Sequence, residues 1–158
     1  VGVILYLWLI RYWLQPTQKK YINLMIYGFI VMVFILQISG IEPLYLNQPI
    51  IFAIGANLIL IGSGLYFIGM ITHDQYLERD PLRLISFWQM TIIFFTFSLN
   101  YISSVALLHL YEVNPVLGKA LQHISYGMLL CTLGVLIVTI ASPLLPGIFE
   151  KEPSYGDN

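Results

Sequence analysis

The sequence predicts an all-α, polytopic integral membrane bundle of about five transmembrane helices joined by short loops. Three observations carry that expectation. Of 158 residues, 58% are hydrophobic and only 9% charged, whereas a soluble domain needs roughly 25% charged residues to wet its surface. The apolar residues fall into blocks of about 20, which match a hydrocarbon core of roughly 30 Å at 1.5 Å per helical residue. Prolines stand between the blocks, at Pro16, Pro49, Pro81 and Pro115, where a missing N–H and a fixed φ suit a first helical turn.

The helices are expected over 1–14, 21–40, 49–72, 84–110 and 116–142, forming a bundle through residue 146 that is followed by a polar tail over 147–158. The first block is short of a full span and reads as a helix cut or processed at its N-terminus. It lacks the basic lead and the small-residue cleavage site of a signal peptide. Asp80-Pro81 and Asn114-Pro115 each pair an N-cap side chain with a proline at the first helical position. Pro143 and Pro146 close the last helix. The tail, EKEPSYGDN, is polar and contains Pro and Gly, as a linker does.

Charge sets the expected orientation, because cytoplasmic loops retain lysine and arginine. In an alternating five-helix topology Arg11, Lys19, Lys20, Arg79, Arg83 and Lys151 share one side, which leaves Lys119 opposite. That bias puts the tail and loops 15–20 and 73–83 on the cytoplasmic-type side. Short loops make successive helices antiparallel neighbours.

Several function classes are disfavoured. A net charge of −1 supplies no basic field for nucleic acid. Cys131 is the only cysteine, so no disulfide framework or CxxC pair exists. No Asp, Glu, Lys or Arg falls in the middle of a span, where ion carriers and voltage sensors place theirs. GxSxG, HExxH and P-loop patterns are absent, and no catalytic nucleophile is evident. Nothing repeats over 20 to 50 residues, and no inverted pair of interrupted helices points to a transporter.

Three features remain. Gly55, Gly62 and Gly69 on the third helix, and Gly127, Gly134 and Ala141 on the fifth, recur every seven residues. Such stripes let a neighbouring helix approach closely with a left-handed crossing; room for a flat cofactor is the functional alternative. On the fourth helix Ser86, Gln89, Thr96, Asn100, Ser103 and Ser104 share an arc of about 100°. In lipid such groups bond across helices, and a ligand or quinone pocket lined by Gln89 and Asn100 is the functional alternative. Asn57 and Gln37 are isolated amides within spans.

The third feature is His109, Glu112 and His123. His109 and Glu112 are three residues apart on one face, and the two histidines are equidistant from residue 116 in the expected turn, hence level in an antiparallel hairpin. Two imidazoles on adjacent helices can ligate haem b, and with a carboxylate they can hold a transition metal or exchange protons with a quinol. Ordinary interfacial histidines are the structural alternative.

The leading expectation is a noncatalytic subunit or accessory protein of a larger membrane complex, with energy-transducing complexes as one class that fits, in contact with the lipid bilayer and with other membrane subunits or copies of itself. A haem- or quinone-binding redox anchor and a membrane input module of a signalling protein are the alternatives.

Overall fold

The computed structural model describes residues 2–41, 48–72, 76, 80–141 and 149–150. Among the described residues five α-helices follow one another: α1 (Gly2–Trp13), α2 (Pro16–Ile38), α3 (Pro49–Thr72), α4 (Ile85–Val113) and α5 (Pro115–Ala141), with a short 3-10 turn at Pro81–Arg83 before α4. The last four are long and apolar enough to cross a membrane. With 12 residues, α1 rises only about 18 Å and falls short of the hydrocarbon thickness.

The prolines act mostly as the sequence suggests. Pro16, Pro49 and Pro115 each open a helix. The second helix starts five residues before the expected Tyr21, because extended Gln15 (φ −65°, ψ 154°) hands directly to Pro16, and Lys19 and Lys20 then project from the first turns. Asn114 caps α5 as expected, its Oδ1 accepting from Leu117 N at 3.2 Å. Asp80 differs. Its Oδ1 accepts from Leu82 N at 3.0 Å, but it caps the 3-10 turn, and α4 begins later at Ile85. At the other end of α2, Gly40 takes φ 71°, the left-handed conformation that glycine adopts without a Cβ clash after a helix.

Although short, α1 buries one face in the bundle, while Leu5, Trp8 and Tyr12 on its other side stay exposed. Leu7, Ile10 and Leu14 are buried and join Ile22 of α2, Ile59, Tyr66 and Met70 of α3, and Met90 and Ile93 of α4 in one apolar core. Tyr6 meets Phe97 edge to face at 4.9 Å, which ties α1 to α4 as well. The peripheral helices α2 and α5 expose most of their apolar surface, including Leu24, Phe34, Leu130 and Ile137, as suits contact with lipid. Beyond α5, Glu150 returns to the turn before α4, where its N–H donates to Arg83 O at 3.0 Å and its carboxylate pairs with the Arg83 guanidinium at 3.2 Å. His73, Arg79, the segment 142–148 with Pro143 and Pro146, and the tail over 151–158 lie outside the described residues.

Candidate functional site

The most extensive packing in the chain joins α4 to α5, and a ladder of polar side chains runs down that contact. Gln89 Nε2 donates to Thr139 Oγ1, Thr96 and Thr132 hydroxyls meet at 2.9 Å, and Ser103 and Ser125 hydroxyls meet at 3.0 Å. The rungs are seven residues apart on each helix, and each pair is equidistant from Asn114. Thr132 and Thr139 each donate to a carbonyl one turn back on α5, Met128 O at 2.9 Å and Val135 O at 2.8 Å. Their oxygens are thereby left to accept from α4. Each rung contributes about 0.6 kcal/mol, rising to about 1.7 in the best cases.

Two further bonds extend the polar stripe towards the rest of the bundle. Trp13 Nε1 donates to Gln89 Oε1 at 2.6 Å, so Gln89 connects α1 and α5 through opposite ends of one amide. Tyr66 and Ser86 hydroxyls meet at 2.7 Å between α3 and α4. Asn100 instead turns back on its own helix, donating to Thr96 O at 2.9 Å. Gln89 and Asn100 therefore lie on one stripe and are both bonded within the protein. Ser104 has its side chain outside the described set.

The ladder also fixes where the histidines stand. Since α4 runs on to Val113 and only Asn114 separates it from α5, the hairpin is centred at residue 114 and not at the expected 116. Position 123 is then level with 105, and position 109 with 119. The two histidines are staggered by four residues, about one turn or 6 Å along the axis. His123 is exposed, and its Nδ1 lies 2.7 Å from Lys119 O. A carbonyl only accepts, so Nδ1 carries a proton, and in the neutral ring Nε2 then keeps its lone pair. The side chains of His109 and Glu112 lie outside the described residues. Among the described residues, no group of three His, Cys, Asp or Glu side chains comes together to hold a metal ion.

The two small-residue stripes differ. A Cβ on Gly55 would meet Val3 and Phe29 side chains, one on Gly62 would lie 3.2 Å from Ile22 Cδ1 and 3.4 Å from Ile10, and one on Gly69 would lie 3.0 Å from Gln18 Oε1. The α3 stripe is thus filled by α1 and α2. Around Gly127 and Gly134 nothing lies within 4 Å of such a Cβ. Helix geometry explains the contrast. The α5 positions turned to α4 are Gly118, Ser125, Thr132 and Thr139, and a step of two residues, 200° around the axis, puts Ala120, Gly127, Gly134 and Ala141 on the opposite face.

A recess of about 500 Å³ opens between the first turn of α1, the end of α2 and the start of α3. Its walls are apolar, with Tyr6, Phe29, Phe34, Phe52 and Phe97 among them, and Gln37 and Gln48 at one end. Gln37 Nε2 is buried there without a partner among the described residues. Sequence periodicity gives no sign of this recess, because it arises where three helix ends converge. No family model, characterised protein or solved structure matches this chain.

Proposed function

We propose that the chain is a noncatalytic subunit or accessory protein of a larger membrane complex, with energy-transducing complexes as the candidate class, and that α5 is its docking helix. The observation that carries this reading is the open stripe of Ala120, Gly127, Gly134 and Ala141. On α3 the same spacing of small residues receives the side chains of two neighbouring helices. Lipid tails gain nothing from a notched helix surface, whereas another helix does, since close backbone approach supplies the dispersion contacts that drive association in lipid. The polar groups of the interior support the same reading: Gln89, Thr96 and Ser103 are spent on bonds to α5 and do not line the recess between α1, α2 and α3. In the complex, the tail, the junction of α1 and α2 with Lys19 and Lys20, and loop 73–83 occupy the cytoplasmic-type side, as the distribution of lysine and arginine favours. Native mass spectrometry of the complex extracted from its own membrane in mild detergent tests the proposal. A stoichiometric second kind of chain is expected. Recovery of this chain alone, or only of copies of it, overturns the reading.

A redox anchor is the second reading, and His123 favours it. Donation of Nδ1–H to a backbone carbonyl is the arrangement that orients a metal-ligating imidazole and leaves Nε2 to bind. Exposed on α5, that nitrogen would ligate haem b, or accept from the hydroxyl of a quinol, together with a second side chain, for which His109 on α4 is the candidate. The 500 Å³ recess, within the range of small-ligand sites, offers a quinone ring a second place beside Gln37. Purified protein with a Soret band lost on His123→Ala supports haem ligation; colourless protein whose lipid extract holds no quinone rules this reading out.

A further inference from the structure

The outward face of α3 carries a second heptad pattern, distinct from the glycines turned inward. Ile54, Asn57, Ile61, Gly64, Ile68 and Ile71 follow alternating steps of three and four residues, the spacing of a left-handed coiled-coil seam. Within this run the isoleucines and Asn57 are exposed, and Gly64 has open space where a Cβ would be. Seam positions 57, 64 and 71 follow Gly55, Gly62 and Gly69 by two residues, which places them across the helix from the filled stripe.

Asn57 is the anomaly in this face. It lies about 5 Å from the midpoint of α3 along the axis, the depth at which water is scarcest. One of its N–H groups reaches back to Ala53 O at 2.8 Å. Its carbonyl oxygen and its second N–H have no partner among the described residues and face outward, where hydrocarbon can satisfy neither. A polar group so placed is stabilised by a complementary group at the same depth on another helix. An amide is its own complement, because it holds one acceptor and a free donor.

We infer that α3 is a self-association surface, through which a second copy of this chain packs in parallel, with Asn57 bonded to Asn57 across the interface. A twofold axis along the membrane normal brings identical seam positions together and makes the contact isologous. The two amides then exchange a pair of N–H···O bonds, and the isoleucines above and below interlock in the fixed register that a single seam asparagine imposes. A different chain would have to carry a donor and an acceptor of its own at that depth, whereas a second copy brings both by symmetry. The surface is on a different helix from the stripe of α5, so self-association stands or falls independently of the docking function proposed above.

The test uses the full chain, purified and reconstituted in phosphatidylcholine vesicles, with energy transfer between labelled copies followed as the protein is diluted in lipid. Saturable transfer fitting a dimer is expected. Asn57→Val should weaken dimerisation about tenfold, two lost interhelical hydrogen bonds being worth roughly that, while Asn57→Gln, which keeps donor and acceptor, stays within about threefold. In a Cys131→Ser background, oxidation should trap Ile61→Cys as a disulfide dimer and leave Leu24→Cys, on exposed α2, as monomer. Circular dichroism checks that each variant retains its helix. A chain that stays monomeric at every dilution overturns the inference, as does a dimer indifferent to Asn57→Val or one that cross-links at position 24 and not at 61.

Discussion

Helices α3 and α5 carry the same sequence device and use it in opposite ways. Each places small residues seven apart, but on α3 the notches at Gly62 and Gly69 hold Ile10, Ile22 and Gln18, whereas on α5 the notches at Gly127 and Gly134 hold nothing from the described residues of this chain. The difference follows from what occupies the other faces. Helix α5 is fastened to α4 by hydroxyl and amide rungs on one side, and the glycines stand on the reverse. Helix α3 is wedged between α1, α2 and α4, and its glycines are the means by which α1 and α2 come close. A stripe of small residues therefore marks where a helix can pack and leaves open whether the partner belongs to the same chain.

The sharpest way to break this comparison is to fill both stripes. Gly62→Leu adds a side chain where even a Cβ is crowded by Ile10 and Ile22, and it should destabilise the bundle by about 1–3 kcal/mol or more through overpacking. Gly134→Leu should leave the isolated chain at least as stable, since its side chain enters open space and Leu suits a helix interior better than Gly. Equilibrium unfolding of both variants in detergent micelles reads the contrast, and equal losses would contradict it.

A smaller effect tests whether polar rungs hold α5 in place. Gln89→Leu removes the bonds to Trp13 and Thr139 together and leaves the Trp13 N–H without its acceptor. It should cost about 1–2 kcal/mol, with a change in Trp fluorescence. Thr96→Val removes a single rung and should cost about 0.6 kcal/mol. Smallest of all is Asn100→Leu, expected within about 0.5 kcal/mol because that amide serves only its own helix. A loss at Asn100 as large as that at Gln89 would show that the ladder is not what secures α5.

Much of the fold was legible in the sequence because the membrane leaves few options. Charge-poor blocks about 20 residues long, separated by proline, have to be helices when no water is available to their backbones. Helices α3, α4 and α5 accordingly begin within a residue of expectation. Less was legible wherever side chains choose between equivalent surfaces. Period seven is the same in both glycine stripes, and only three-dimensional packing shows which is filled. The polar stripe of α4 can be read as an arc, but its match to Ser125, Thr132 and Thr139 depends on the hairpin centre. The single residue Asn114 between α4 and α5 sets that centre two residues before the expected 116 and so staggers the histidines. Asn57 reads as one isolated amide among apolar residues until its outward direction is seen. The Trp13–Gln89 bond joins residues 76 apart, a pairing that no local pattern encodes.

The central claim is that the open stripe of α5 receives a helix from another protein, and the native mass of the extracted complex tests it most directly when wild type and Gly134→Leu are compared. Wild type should travel with a second kind of chain, and Gly134→Leu should lose that chain while keeping its helical content and its capacity to pair with itself through α3. If the variant retains the same partner in the same proportion, the stripe is a lipid-facing surface and the docking role assigned to α5 is wrong.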